Sequence, residues 1–270
     1  GKWWMPGGSD ADDSARGQAS AAADSATAPV ASPVGTALLL HGGYYRSRYT
    51  LDLMDPMAAD LARRGWAVWN VEYRRTDAHG WESTIADVRA ALAALARIPS
   101  FVPGSPLIVI GHSAGGQLAL QLAEQTAALP SIGGAALPRI ALAVSLAGVV
   151  DLPGAFGRNS SDGAVAMALG GSPAEHPERY AAASPSLFAR RRTPWLLVQG
   201  TDDVDDFRLP NRELAANARV GHPELLERPG DHFAVIDPAA PIWQATLARI
   251  GALLTAPERG TDTNSGILAE

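Results

Sequence analysis

Short apolar runs alternate with amphipathic stretches over most of the chain. The runs are apolar at consecutive positions, which is typical of strands buried on both faces of a parallel sheet. We predict strands at residues 36–41, 66–72, 107–110, 140–146, 194–199 and 224–227. The 3.6-residue spacing of apolar positions predicts helices at residues 51–64, 83–97, 114–128 and 241–254. This alternation indicates an α/β fold, with a mostly parallel central sheet and helices on both faces.

Three parts of the chain depart from the alternation. Residues 1–35 are rich in small and polar side chains, which cannot offset the entropy of ordering, so we expect a largely irregular N-terminal extension. Trp3 and Trp4 are exceptions that we expect to dock on the body of the protein. Residues 257–270 are polar and predict a C-terminal tail. Between them lies one predicted domain, 36–256, whose segment 151–192 is too long for an ordinary connection and indicates a small cap-like insertion.

Composition narrows the possible functions. The 270 residues carry 22 Lys and Arg against 28 Asp and Glu, a net charge of −6, and an acidic surface repels phosphate backbones, so no nucleic-acid partner is expected. The chain has no cysteine, which excludes disulfides, thiol nucleophiles and cysteine metal sites. No stretch reaches the ~18 apolar residues of a membrane span. No apolar signal region follows Lys2, so we expect a cytoplasmic protein.

The strongest sign of chemistry is the sequence Gly111-His112-Ser113-Ala114-Gly115, placed between a predicted strand and a predicted helix. A sharp strand-to-helix turn projects its central side chain from the sheet, and it needs small flanking residues because neighbouring backbone passes close by. A phosphate-binding loop is the alternative, but neither the G-x-G-x-x-G spacing nor the lysine of such loops is present. The pattern therefore predicts Ser113 as a nucleophile.

A second pattern, His41-Gly42-Gly43-Tyr44, directly follows the first predicted strand. Cleavage of esters and amides passes through a tetrahedral oxyanion, and each preorganised donor to that oxygen is worth about 10²–10³ in rate. A pair of glycines lets backbone amides turn toward it. We predict that the amides of Gly43, Tyr44 and Ala114 form the oxyanion hole, and that His41 holds the loop rather than acting as a base.

A serine nucleophile needs a general base, which is commonly a histidine. The chain has six histidines. His232 comes just past the last predicted strand, and because strand ends of a parallel sheet converge at one edge, it can reach Ser113. His232 is therefore the predicted base, and His222, on the approach to the same strand, is the alternative.

The base in turn needs a carboxylate that fixes its tautomer. Several aspartates crowd the turn after the preceding strand, and most of them are expected to form turns and caps. We predict Asp203 as the acid, with Asp202 and Asp206 as alternatives. Asp151, at the end of another strand, is a further competitor, for which a capping role is favoured.

These motifs together resemble the esterase and arylformamidase branch of the α/β-hydrolases, which includes the kynurenine formamidases. The resemblance covers residues 36–254 and rests on the sequences LLLHGGYY, VIGHSAGG, VQGTDD and GDHF. It implies an α/β-hydrolase fold, a triad in the chain order Ser113, Asp203, His232, an oxyanion hole from the H-G-G loop, and no cofactor or metal.

The chain departs from the family's pattern in two places. Gln199 stands where such proteins usually have a histidine in the acid motif. The family commonly begins with two extra strands, whereas residues 1–35 carry little strand signal. We therefore expect the sheet to be shortened at that edge, with Trp3 and Trp4 covering the gap or lining the pocket entrance.

The sequence thus predicts a serine hydrolase, monomeric or homodimeric, that acts on small carboxylic esters. An arylformamide of the N-formylkynurenine type is the alternative substrate. A non-catalytic ligand receptor on the same fold is the rival function, because a fold alone does not prove activity. Five side chains are predicted to line the substrate pocket: Tyr45, Phe156, Met167, Phe188 and Phe233.

Overall fold

The computed structural model describes residues 1–6, 32–98, 101–128, 131–132, 135–189, 191–217 and 222–256. The predicted tail and most of the predicted N-terminal extension lie outside the described residues. The strands β1 to β9 are Lys2–Trp4, Gly35–Leu40, Trp66–Val71, Leu107–His112, Ser131–Ile132, Ala135–Ala136, Leu142–Leu146, Trp195–Gly200 and Glu224–Arg228. The helices α1 to α9 are Asp55–Arg63, Thr76–His79, Trp81–Leu95, Ala114–Ala128, Leu152–Gly157, Ser160–Leu169, Pro177–Ala183, Asp205–Ala216 and Pro241–Thr255.

One seven-stranded sheet organises the molecule, with the strand order β1-β3-β2-β4-β7-β8-β9. All neighbouring strands in it run parallel except β1, which runs antiparallel to β3. The predicted mostly parallel sheet is therefore confirmed. Because parallel strands present their carboxyl ends at the same edge, the loops that follow β2, β4, β8 and β9 meet there.

Both faces of the sheet are covered, which is why its strands read as unbroken apolar runs. In β2, Leu38 and Leu40 pack into a cluster with α3 and α4, while Ala37 and Leu39 pack into a second cluster with α1 and α9. All four side chains are fully buried. Each buried leucine contributes about 2 kcal/mol of transfer free energy, so neither face could be exposed to water without a large loss.

The N-terminal tryptophans belong to an edge strand of the sheet. Trp3 of β1 lies opposite Trp69 of β3, and the two rings meet edge to face with centroids 5.9 Å apart. Lys2 Nζ pairs with Asp52 at 2.7 Å. In the described residues one short strand precedes β2, and Trp3 and Trp4 lie in it, at the edge that they were expected to cover. Three residues are too few for a sequence pattern but can extend an existing sheet. Neither Trp3 nor Trp4 lines the candidate active-site cavity.

The helices lie close to their predicted positions. Helix α4 has the predicted bounds. Helix α3 begins at Trp81, two residues ahead of its predicted start at residue 83, because Gly80 turns the chain with a φ of +76°. The segment 151–192 contains α5, α6 and α7, which pack on the face of the sheet that α4 covers. None of the helices in the described part of the chain has the length and apolar character of a membrane span.

Candidate active site

Ser113 stands at the sharp turn between β4 and α4. Its φ of +55° lies in the left-handed region, which is strained for serine, and its amide donates to the Leu146 carbonyl at 2.8 Å. A Cβ on Gly115 would collide with the carbonyl of Leu40, and a Cβ on Gly111 would collide with the Gly115 backbone. The close approach of α4 to β2 and β4 therefore requires glycine at both positions and fixes the turn that carries the serine.

The loops after β8 and β9 bring an acid and an imidazole together. Asp203 follows β8 and His232 follows β9, and His232 Nδ1 lies 2.8 Å from Asp203 Oδ2. Gly200 permits this approach, because a Cβ there would collide with the Gly230 carbonyl. The bond places the proton on Nδ1 and leaves Nε2 as the basic nitrogen.

Three donors hold the Asp203 carboxylate in its ionised form. Besides His232, Gln199 Nε2 donates at 2.9 Å, and the Val204 amide donates at 2.7 Å. Burial alone would raise the pKa of Asp203, but these hydrogen bonds and the charge of His232 outweigh burial and lower it below its usual value. Gln199, which departs from the family's usual histidine, thus acts as a donor to the acid and is itself held by Asn211 at 3.2 Å.

The alternative acids are occupied elsewhere. Asp202 accepts a hydrogen bond from the Gly230 amide at 3.0 Å. Asp206 lies 2.9 Å from Arg158 Nε in an ion pair. Asp151 caps the N-terminus of α5 through its side chain, as the favoured interpretation of this residue predicts. Of the four aspartates considered as the acid, Asp203 is the one that bonds to the candidate base His232.

The three predicted oxyanion donors lie around Ser113. Gly43 and Tyr44 line the cavity with it, and Ala114 begins α4, whose N-terminus carries a partial positive charge. Gly43 has a φ of +110° and Tyr44 a φ of +46°, so the chain turns sharply after β2. Within the described residues, none of these three amides donates to another protein group. They are therefore free to donate to a ligand.

The side chain of His41 supports the H-G-G loop that follows β2. Its Nδ1 lies 2.7 Å from the Gly42 carbonyl, its Nε2 lies 3.0 Å from Glu72, and its ring stacks on Tyr73 at 4.3 Å. Burial lowers the pKa of His41 to about 4. A neutral, buried ring of this kind supports the loop, and it is not placed to act as a base.

His112 lies between the H-G-G loop and the loop that carries His232. Its Nε2 donates to the His232 carbonyl at 2.9 Å, and the two rings lie 4.8 Å apart. On the other side, a Cβ on Gly42 would come within 2.9 Å of His112 Nδ1. Burial and then the charge of His232 lower the pKa of His112 to about 3, so it stays neutral and keeps its donor. The alternative base His222 is exposed and lies outside the cavity.

Ser113 and His232 open into one cavity of about 180 Å³. The hydrogen bonds of the His232 side chain and carbonyl, in the described residues, run to Asp203 and His112, and none joins Nε2 to the Ser113 hydroxyl. Catalytic hydrogen bonds are often long without substrate and tighten when it binds. In the described part of the chain, the residues that line this cavity are Gly43, Tyr44, Arg48, Tyr49, Leu53, His112, Ser113, Ser161, Phe207, His232 and Phe233.

Of the five predicted pocket residues, Phe233 lies on this cavity and the other four lie elsewhere. Tyr45 is fully buried and its hydroxyl donates into α4. Phe156 and Phe188 meet core rings edge to face. Met167 is exposed on α6. The segment 151–192 therefore reaches the cavity through Ser161 and not through the apolar residues predicted for this purpose.

Other cavity residues are not apparent from the motifs. Three of them follow the H-G-G-Y-Y sequence within ten positions: Arg48, Tyr49 and Leu53. Their closeness in sequence to the H-G-G loop could have predicted that they line the cavity. Phe207 lies in the first turn of α8, shortly after Asp203. Ser161 has no comparable signal, because its place depends on how the insertion folds back.

Comparisons with known proteins agree with this architecture. The sequence model of the BD-FAE family matches residues 28–205. Similar solved structures include a truncated carbohydrate esterase from gut microbiota, 18% identical with a TM-score of 0.69, covering 83% of this chain and 87% of that chain. A bacterial heroin esterase is 24% identical with a TM-score of 0.66, covering 83% and 75%. Esterase B from Lactobacillus Rhamnosis is 19% identical with a TM-score of 0.64, covering 82% and 76%.

These likenesses confirm the α/β-hydrolase fold. No curated protein sequence matches the chain. Nothing in the comparisons bears out the arylformamidase branch, which stays a prediction.

Proposed function

The chain belongs to the BD-FAE family, and from this premise we propose that it is a serine hydrolase that cleaves small carboxylic esters. One observation carries the proposal: the hydrogen bond between Asp203 and His232 stands at the cavity into which Ser113 opens. A serine beside a histidine that a carboxylate orients is the arrangement that activates a hydroxyl as a nucleophile. The similar solved structures bear the name esterase, which supports the same reaction.

In the proposed first half-reaction, the Ser113 oxygen attacks the acyl carbonyl carbon and His232 Nε2 takes the hydroxyl proton. Asp203 keeps the other ring nitrogen protonated and stabilises the positive imidazolium that forms. His232 then gives the proton to the leaving alcohol, and the acyl group stays on the serine. The low pKa of Asp203 serves this step, because the carboxylate is charged at neutral pH.

The oxyanion forms on the former carbonyl oxygen. The amides of Gly43, Tyr44 and Ala114 are proposed to donate to it. None of them donates to another group among the described residues, so no protein bond there has to break first. In the second half-reaction, water attacks the acyl-enzyme with His232 as the base. The same amides stabilise the second oxyanion, and the free acid leaves.

The dimensions of the cavity favour a small substrate. Its volume is about 180 Å³, below the roughly 300–1,000 Å³ of pockets that take drug-sized ligands. An arylformamide would use the same nucleophile and base, and no observation favours it over an ester. A panel of acyl esters assayed beside N-formylkynurenine decides between these substrates.

The decisive experiment is the substitution Ser113→Ala, assayed with p-nitrophenyl acetate. We expect kcat to fall by about 10⁴-fold or more, because the nucleophile is lost while the fold remains. The wild-type protein should also react with a fluorophosphonate probe at Ser113, identified by mass spectrometry. Ser83→Ala, in α3 and away from the cavity, is the matched control and should keep full activity. Undiminished hydrolysis by Ser113→Ala, or a folded wild-type protein that the probe does not label, would favour a different nucleophile or the receptor function.

A further inference from the structure

Arg46 and Arg158, near the cavity, are engaged in protein contacts. Arg46 Nη2 donates to the Ser161 carbonyl, and Arg158 Nε lies 2.9 Å from Asp206. The hydrogen bond therefore occupies a donor of Arg46, and the ion pair neutralises the charge of Arg158. They hold the insertion against the H-G-G loop and α8.

Arg48 differs from these arginines. It lines the cavity that contains Ser113 and His232. In the described part of the chain its guanidinium makes no ion pair, and it lies over the ring of Tyr49, 4.9 Å from the ring centre. A cation–π contact of this kind engages the charge of the guanidinium without a hydrogen-bond acceptor, so the N–H donors of Arg48 stay available to a ligand.

The other cavity walls are suited to the carbon part of a ligand. Leu53, Phe207 and Phe233 present apolar surface, beside the ring of Tyr49. Arg48 is exposed to solvent and lines the cavity beside these walls. A planar fork of donors beside an apolar wall is complementary to a carboxylate on a short carbon skeleton.

We propose that Arg48 binds an anionic group of the substrate, so that the preferred esters carry a carboxylate on their acyl or alcohol part. This inference rests on the proposed function, because it assigns the substrate class of the same site. Arg48 determines specificity: it contacts a part of the substrate away from the reacting carbonyl. The triad and the oxyanion donors act on neutral esters in the same way.

Two matched substrate pairs test the proposal. The first pair places the charge on the alcohol part: 3-acetoxybenzoate and its neutral isostere 3-acetoxybenzamide. The second places it on the acyl part: the p-nitrophenyl monoester of adipic acid and the methyl ester of that compound. For at least one pair we expect the wild-type kcat/KM to favour the anionic ester by about tenfold, the size of a hydrogen bond to a charged group. Added salt should reduce this preference, since ions screen an exposed charge pair.

Arg48→Gln should lower the ratio of kcat/KM for the anionic ester to kcat/KM for its neutral partner about tenfold, mainly by raising KM for the anionic ester. Arg48→Lys should keep part of the preference, because the charge remains while the planar fork is lost. Arg63→Gln removes the same charge from the exposed face of α1 and should leave the preference unchanged.

The inference is overturned if the wild type shows no anionic preference in either pair, or if Arg48→Gln retains it. These outcomes are separable from failure of the proposed function. Hydrolysis of the neutral esters that depends on Ser113 supports the serine hydrolase whatever Arg48 does, whereas no hydrolysis of any ester would remove the premise.

Discussion

The aspartates in the loop after β8 have identical side chains but bond to different partners. Asp203 bonds to His232, whereas Asp202 receives the Gly230 amide and Asp205 pairs with Arg208. All three follow β8 within a few residues. Position after a strand could therefore limit the predicted acid to this loop, but it could not identify which aspartate meets the base. What separates them is the direction of each side chain from the turn, which depends on the packing of the next strand's loop.

This difference predicts the effect of three matched substitutions. Asp203→Asn should lower kcat for p-nitrophenyl acetate by about 10⁴-fold, because an amide neither fixes the histidine tautomer nor stabilises its charge. Asp202→Asn and Asp206→Asn should each stay within about tenfold of the wild type. Circular dichroism of all three variants checks that the fold is intact. An equal loss in Asp206→Asn would show that the wrong carboxylate has been assigned.

At the scale of elements, the position of the nucleophile depends on how closely α4 approaches the sheet. Gly115 lies against the carbonyls of Leu40 and His41, with no room for a Cβ. The requirement for glycine could be read from the sequence, because the strand-to-helix turn is a local motif. The edge strand β1 could not be predicted from the sequence, because its three residues become a strand only through pairing with β3.

A pair of glycine substitutions tests this packing. Gly115→Ala should lower the free energy of unfolding by about 3 kcal/mol, because overpacking against backbone cannot be relieved by a rotamer change. Gly251→Ala, inside α9 where a Cβ would meet nothing within 4 Å, should stabilise the protein by about 0.5–1 kcal/mol. Urea unfolding measures both. An unchanged midpoint for Gly115→Ala would contradict the close approach that the turn requires.

The whole molecule buries two histidines in neutral form beside its candidate site. Burial lowers the pKa of His41 to about 4 and that of His112 to about 3, the latter also through the charge of His232. In the unfolded chain both would titrate near the ordinary value of 6.5. Below that pH the unfolded state binds protons that the folded state does not bind.

Stability should therefore fall as the pH is lowered from about 6.5 toward 4. Each histidine contributes about 1.4 kcal/mol per pH unit in that window, because its folded pKa is depressed and the unfolded state gains the protons. Urea unfolding between pH 7.5 and pH 4.5 measures the slope. His112→Gln should reduce it, and His222→Gln, at an exposed position, should leave it unchanged. A His112→Gln slope equal to that of the wild type would rule out a buried neutral His112.

The sequence by itself determined the parallel α/β architecture, the strand-to-helix turn at Ser113, the glycine turn at Gly43 and the candidate base His232. Each of these depends on apolar periodicity or on residues adjacent in the chain, and local backbone sterics carry that information. The tertiary structure alone decided which aspartate meets the base, that Tyr45 and Phe188 belong to the core, and that Arg48 faces the cavity. These features depend on contacts between loops far apart in sequence, whose side-chain directions are set only when the strands they follow pack side by side.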